Sequence, residues 1–372
     1  MTKIELKSLI NYPLPSLIGM KADFVTEIES AQNSKDSSIS FLLHSLENKP
    51  QLKIGEMFQV MVIGGSNFHS CIFTKKDERN HYSEVTKSSI PIFNTKEIFL
   101  DFILKNLQPD HNYLAINLAY PLEPVTRNGL LDCVLLKGTK EHEFKGLIGE
   151  TVGEEIEKYI KETLDRDITV LVANDTIALV LAGIHEIKAP PISLVGGIVG
   201  TGVNFGFFYN ETQVVNLESG GFNKFESSES GLIIDQNSSS PGEQLFEKEV
   251  AGGYLYKHYN IINKLYGLGL KEINSSDELS SLAITKEDNG RSLAQLLLER
   301  SASLIAVQIA GIYEFKKLAK LNFIIEGSLF WKGHNYSDLV KKYLGKLGVS
   351  ESSINIIKIH RSYLLGIASL LD

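Results

Sequence analysis

Residues 170–208 constrain this chain more than any other stretch. Residues 170–173 (VLVA) form a short apolar run that gives way at once to Asn174, Asp175 and Thr176, and apolar residues then recur at helical spacing over 177–184. That pattern puts the polar triplet where a buried strand hands over to a helix. Residues 192–208 are apolar on both sides of Gly200-Thr201-Gly202, which reads as a β-hairpin. Glycines in such a turn let the backbone approach a ligand closely and aim its N–H groups at an anion.

A second copy of the pattern lies upstream. Residues 58–63 (FQVMVI) run into Gly64-Gly65-Ser66-Asn67-Phe68 and then Cys71-Ile72-Phe73, against Gly200-Thr201-Gly202-Val203-Asn204-Phe205 and Gly206-Phe207-Phe208. Either turn alone serves a plain hairpin. The pair, with Asn-Asp-Thr at a strand end between them, points to an internal duplication whose halves face a cleft.

Composition excludes several classes. A formal net charge of −8 argues against nucleic acid as the main partner, since phosphate backbones select basic patches. Cys71 and Cys133 lie in no CxxC spacing and read as reduced core thiols. The first residues lack the apolar core of a signal peptide, and residues 291–318 are too polar at Glu299, Arg300, Gln308 and Glu314 to enter a bilayer. The expectation is a cytoplasmic protein with no membrane span, monomeric or homodimeric. At 372 residues it is long enough for more than one core.

Along the chain, residues 1–48 have helical periodicity, including Phe41, Leu42, Leu43 and Leu46. Residues 90–92 offer an edge strand, 96–107 a helix, 113–119 a buried strand, 123–129 a loop and 130–136 another strand. Residues 154–164 form a helix and 214–218 a strand, with 225–242 read as loop. A helix follows from Glu243, and 274–281 is a Ser-rich connector. Residues 291–318 make a long helix, 323–326 a strand, 337–347 a helix and 363–371 a closing helix. Alternating strands and helices predict an α/β fold with a mainly parallel sheet.

Taken in order, these pieces resemble the eukaryotic-type hexokinase/glucokinase family of the actin-like sugar kinase superfamily. Ile63-Gly64-Gly65-Ser66-Asn67-Phe68 resembles the first phosphate loop, Leu-Gly-Gly-Thr-Asn-Phe. Asn117-Leu118-Ala119-Tyr120-Pro121 resembles the start of the sugar loop, Phe-Ser-Phe-Pro, with Ala119 in place of a Ser. Val172-Ala173-Asn174-Asp175-Thr176 is similar to Val-Val-Asn-Asp-Thr, which holds the family's base. Ile198-Val199-Gly200-Thr201-Gly202-Val203-Asn204 is similar to the second phosphate loop, Asn216-Leu217-Glu218 to Asn-Met-Glu, and Pro241-Gly242-Glu243-Gln244-Leu245-Phe246-Glu247-Lys248 to Pro-Gly-Lys-Gln-Leu-Tyr-Glu-Lys.

The resemblance implies a two-lobed actin-like ATPase (ribonuclease H-like) fold with a cleft between lobes. It divides the chain into an N-terminal helical segment (1–50), a small lobe (51–171, with a C-terminal helix at 357–372) and a large lobe (172–356). It further implies transfer of the γ-phosphate of ATP, with Mg²⁺, to the 6-hydroxyl of glucose or a related hexose, as in glycolysis. Asp175 would be the base. Asn174, Asn204, Glu218, Gln244, Glu247 and Lys137 (or Lys140) would hold the sugar, whose hydroxyls need paired donors and acceptors. Gly64, Gly65, Ser66, Asn67, Gly200, Thr201, Gly202, Gly327 and Ser328 would hold the nucleotide. Simpler roles exist for some of these: Asp175 as a helix cap, Asn174 as a turn residue, Gln244 and Glu247 at a helix start.

The departures gather on the nucleotide side. Val62 stands where the family has an Asp that helps hold hydrated Mg²⁺, His69 replaces an Arg, Ser66 a Thr, and Glu326 the Asp of Asp-Gly-Ser/Thr. HRSYLL at 360–365 occupies the place of Asp-Gly-Ser-Gly-Lys-Gly. No direct protein ligand to a metal is assigned, Asp175 and Glu326 being the nearest carboxylates by motif. The alternative is a weak or inactive hexose-binding sensor or regulatory protein. An actin-like assembly ATPase would give no reason for the Gln244/Glu247 segment.

Overall fold

The computed structural model describes residues 3–76, 81–139, 141–285 and 289–371. One sheet has the strand order Leu42–Ser45, Gln213–Asn216, Val203–Phe208, Leu194–Val199, Leu321–Glu326, Ile354–Ile357. Another runs His81–Tyr82, Asn67–Thr74, Met57–Ile63, Tyr113–Leu118, Thr169–Ala173, with Thr86–Ser89 also pairing with Asn67–Thr74. Leu122–Arg127 and Leu130–Leu135 form a separate two-stranded ribbon.

The chain divides into two compact units. One comprises Met1–Phe41, Gly197–Phe205 and Leu217–Lys358; the other comprises Leu42–Gly196, Gly206–Asn216 and Ile359–Asp372. These limits differ from the sequence boundaries at 50/51 and 171/172. The reason is local: Thr169–Ala173 pairs in parallel with Tyr113–Leu118, and the helix Asp175–Glu186 packs on Ser362–Ala368, so all four stay together.

In the second unit the first hairpin pairs antiparallel, and Met57–Ile63 then pairs in parallel with Tyr113–Leu118. The register sets Val62 opposite His69 on one side and Asn117 on the other, with Asn117 opposite Ala173. Cross-strand partners share a face of the sheet. Beneath lies a core of Met61, Ile63, Phe93, Phe99, Ile116 and Phe144, each fully buried.

The first unit is organised on the helix Asn289–Lys316, against which Leu14–Gln32 and Tyr336–Lys346 pack. By length and composition this helix could cross a membrane, but 89% of its most apolar window is buried within the protein. Leu321–Glu326 and Ile354–Ile357 pair in parallel, Leu321 opposite Ile354.

Several local expectations are corrected. Leu42–Ser45 is a strand, because it finds a partner in Gln213–Asn216. Residues 123–129 are mostly strand: Asn128 (φ 52°) and Gly129 (φ 83°) make a two-residue turn with both φ positive, for which Asn-Gly is the strongest local signal. The edge strand is Thr86–Ser89, just before Ile90 and Pro91. Within 225–242 lies the helix Glu229–Gln236, and within 274–281 begins the helix Ser276–Leu282. Both are capped by serine, Ser228 accepting from Gly231 N–H (3.0 Å) and Ser275 from Glu278 N–H (3.1 Å). The sheets are mixed, since antiparallel hairpins accompany parallel strands in each.

Candidate active site

In the first unit the second glycine turn is closed by a hydrogen bond from Gly200 N–H to Gly202 O (3.0 Å). Gly327 packs directly on it: at φ 127° it occupies a region that side chains rarely adopt, and a Cβ there would fall 2.1 Å from Val199 O. Gly200 and Thr201 carbonyls accept from Gly252 N–H (2.8 Å) and Gly253 N–H (3.0 Å) at the start of the helix Gly252–Leu265. A cavity of about 230 Å³ opens here, lined among others by Gly200, Thr201, Gly253, Tyr256, Asp277, Ser328 and Lys332. The structure thus brings Gly200, Thr201 and Ser328 to one cavity. Tyr256, Asp277 and Lys332 join them without any sequence signal that singled them out. Another cavity of about 280 Å³, lined by residues such as Ile233, Tyr254 and Lys257, contains none of the candidate residues.

The sugar candidates of this unit gather beside the same turn. Val203 N–H donates to Glu247 Oε2 (2.9 Å), so the carboxylate buttresses the turn. Asn204 Oδ1 accepts from Phe205 N–H (2.8 Å) and Ser219 N–H (3.1 Å), which fixes the amide. Glu218 (φ 47°) and Gln244 (φ 52°) are both left-handed, a conformation that costs a non-glycine residue roughly 1–2 kcal/mol and concentrates at functional sites. Gln244 and Glu247 meet at Gly220, where a Cβ would fall 2.5 Å from Gln244 Oε1 and 3.1 Å from Glu247 Cβ.

The short helix Leu245–Val250 that carries Glu247 is pinned on two sides. Glu249 pairs with Arg300 Nη1 at 3.2 Å, both about 1% exposed, and Lys248 pairs with Asp235 at 2.6 Å. Burial works against the Glu249 charge, but Arg300, His258 and hydrogen bonds from Ser228 hold its carboxyl below the ordinary value. Nothing in the local sequence marked Arg300 as the partner, 51 positions away from Glu249 along the chain by number.

In the second unit Asn174 is the helix cap: buried, it accepts from Ile177 N–H at 2.9 Å through Oδ1. Asp175 is therefore the first helical residue, and its Oδ1 accepts from Thr176 N–H (2.8 Å). The helix N-terminus favours a negative charge there. Lys137 is exposed just past Leu130–Leu135; Lys140 lies outside the described residues.

The first glycine turn is held from behind. Gly64 N–H donates to Asn67 O (2.9 Å), and the Tyr120 hydroxyl donates to Gly64 O (3.2 Å). His142 Nδ1 accepts from Phe93 N–H (3.0 Å), so its Nε2–H donates to Gly65 O (3.0 Å). Ser66 and Asn67 remain exposed at the turn. Segment 360–365 lies against this hairpin: the Tyr363 hydroxyl bonds His69 Nδ1 (2.8 Å), and Asn117 Nδ2 donates to Tyr363 O (3.3 Å).

A directly held Mg²⁺ does not fit the donors of this row. Val62 offers no oxygen, its row partners are His69 and Asn117, and among the described residues no group of three His, Cys, Asp or Glu side chains could hold a metal ion.

The hexokinase family model matches residues 270–371. Hexokinase-5 of Oryza sativa subsp. japonica is 24% identical over 286 residues, a match covering 68% of this chain and 55% of that relative, so the chain spans little more than half its length. The structure of hexokinase from Schistosoma mansoni complexed with glucose shares the fold, with a TM-score of 0.73 at 17% identity, over 99% of this chain and 97% of that one. A glucokinase of the ROK family from Streptomyces griseus, in complex with glucose and AMPPNP, has a TM-score of 0.54 at 16% identity, over 84% of this chain and 98% of that one. The chain is thus similar to hexokinases in sequence, by the family model over its C-terminal part and by curated relatives at about a quarter identity, and it has the fold of their solved structures.

Proposed function

We propose that this protein is an ATP-dependent hexose kinase, transferring the γ-phosphoryl group to the 6-hydroxyl of glucose or a related hexose. The observation that carries the reading is the gathering of Gln244 and Glu247 at Gly220, with Asn204 bonded to Ser219 N–H and Glu247 to Val203 N–H, next to a glycine turn with its own cavity. Amide and carboxylate groups supply the paired acceptors and donors that sugar hydroxyls require, and two of them, Glu218 and Gln244, sit in left-handed backbone. Asn174 and Lys137 are further candidates for contact with the sugar. Asp175 would take the proton of the attacking hydroxyl, which leaves as the phosphoester bond forms and the bond to ADP breaks. Gly200, Thr201, Gly202, Gly327 and Ser328 would hold the nucleotide, and Gly64, Gly65, Ser66 and Asn67 its terminal phosphates. Mg²⁺ bound to those phosphates would neutralise developing charge, without a carboxylate at position 62. A cytoplasmic place in glycolysis, as monomer or homodimer, belongs to the same proposal.

The second reading, a hexose sensor with little turnover, is favoured by Val62 and by Tyr363 seated against His69. Asp175→Ala separates the two. A kinase loses about 10²–10⁴-fold in turnover, the range for a general base, while glucose still raises the melting temperature by mass action. A sensor has no glucose-dependent turnover to lose.

A further inference from the structure

The helix Asn289–Lys316 is largely apolar and buried, yet Arg300, Ser301 and Gln308 on it are each at most 1% exposed. Ser301 and Gln308 lie about two turns apart on one face, with Arg300 beside them. Each reaches a segment that carries sugar candidates. Arg300 Nη1 meets Glu249 at 3.2 Å, and the Ser301 hydroxyl donates to Val250 O (2.6 Å). Both contacts fall on the short helix Leu245–Val250, whose Glu247 accepts from Val203 N–H. Gln308 Nε2 donates to Ser219 O (2.8 Å), and Ser219 N–H donates in turn to Asn204 Oδ1 (3.1 Å). Glu218 is the residue before Ser219.

These side chains serve stability poorly. Among the described residues Gln308 Oε1, Arg300 Nε and Arg300 Nη2 have no hydrogen-bond partner, a burial cost that a leucine would not carry. A buried ion pair adds little over apolar residues of the same volume. Polar groups that break the rule of a core helix are found where they serve a site. The segment they hold needs such help. A helix of six residues is too short to fix its own direction, and its successive residues Glu247, Lys248 and Glu249 tie to Val203, Asp235 and Arg300.

We propose that Arg300, Ser301 and Gln308 are positioning residues for the sugar site. Arg300 and Ser301 set Gln244 and Glu247, and Gln308 sets Glu218 and Asn204. They act through the groups they hold. Only the identity of the ligand rests on the hexose kinase reading; the support rests on the contacts themselves.

Two backbone amides report that support without any ligand: Val203 N–H, bonded to Glu247, and Ser219 N–H, bonded to Asn204. Their hydrogen exchange is read by NMR on the full-length protein, beside the melting temperature and the calorimetric affinity for glucose. Gln308→Met should speed exchange at Ser219 about ten-fold and spare Val203, the size expected for one lost hydrogen bond. Glu249→Met combined with Arg300→Met leaves no buried charge unpaired and should do the opposite. Each should weaken glucose binding about ten-fold with a melting temperature near that of the wild type. Arg300→Lys keeps the charge and should stay close to the wild type at Val203. Ser301→Ala should speed Val203 alone, and its result decides the matter where the double variant does not fold. Unchanged exchange at both amides in the folded variants overturns the positioning, as does faster exchange at every amide with a matching fall in melting temperature. Selective exchange in a protein that binds no hexose keeps the support and discards the hexose reading. Glucose bound equally by the wild type and the variants does the reverse.

Discussion

The two glycine turns share a sequence pattern and differ in what surrounds them. Around Gly200-Thr201-Gly202 the backbone is packed against backbone: Gly327 on one side, the start of Gly252–Leu265 on the other, with Glu247 bonded to Val203 N–H. Around Gly64-Gly65-Ser66 the supports are side chains, the Tyr120 hydroxyl and His142, and the neighbouring row holds Val62, His69 and Tyr363. Backbone packing leaves few substitutions open, whereas a site built on side-chain charge can be rebuilt by changing which residues supply it. Val62, Ser66 and His69, three of the departures from the pattern that the sequence resembles, lie at the first turn, and Glu326 lies beside Gly327 at the second.

The largest effect that would break the comparison is Gly327→Ala. A Cβ 2.1 Å from Val199 O and 2.7 Å from Gly200 N has no room, so roughly 4 kcal/mol or more of stability should go, seen as a fall in melting temperature together with lost turnover. A variant that melts like the wild type would show that the second turn is not fixed by backbone packing.

Next in size is the response to pH, in which each unit has one reporter. Burial pushes both His44 and His258 down to about 4, from an ordinary value near 6.5. Both are neutral in the folded protein at pH 7, and below pH 6.5 the unfolded chain binds the extra protons. Their contribution is present above about 6.5 and is lost as pH falls toward 4, at about 1.4 kcal/mol per pH unit for each histidine. Urea titrations at pH 7 and pH 5 should show that loss; equal stability at both would place the imidazoles in contact with water.

Glu247→Gln should be milder. It keeps the shape, weakens the bond from Val203 N–H and loses the charge, at a cost of about 1–2 kcal/mol read as roughly ten-fold weaker glucose binding. Smallest is Val62→Asp, where the half-buried carboxylate has His69 across the strand to meet it; about 1 kcal/mol of stability should go. A clear drop in the Mg²⁺ requirement of that variant would restore the metal to the first turn and sharpen the contrast differently.

Much of this was legible from local pattern. The strand end at Asn174, both glycine turns and the long C-terminal helix follow from apolar periodicity and turn chemistry. The helices after Ser228 and Ser275 were hidden because they are too short, at 8 and 7 residues, to show a helical period, and only the serine caps announce them. The strand Leu42–Ser45 was hidden because its partner lies far away in sequence. At the candidate site, family order pointed to Glu218 and Gln244, but their left-handed backbone is a tertiary effect. His142, Arg300 and Tyr363 act through contacts formed only on folding, and no spacing marks them.

The most direct measurement follows the phosphorus. Incubating the protein with ATP and glucose and recording the ³¹P spectrum should show the γ-phosphate signal of ATP replaced by a hexose 6-phosphoester and ADP, with Asp175→Ala leaving ATP intact. Glucose that raises the melting temperature while the ATP signals persist unchanged with the wild-type protein would contradict the kinase and leave a hexose sensor.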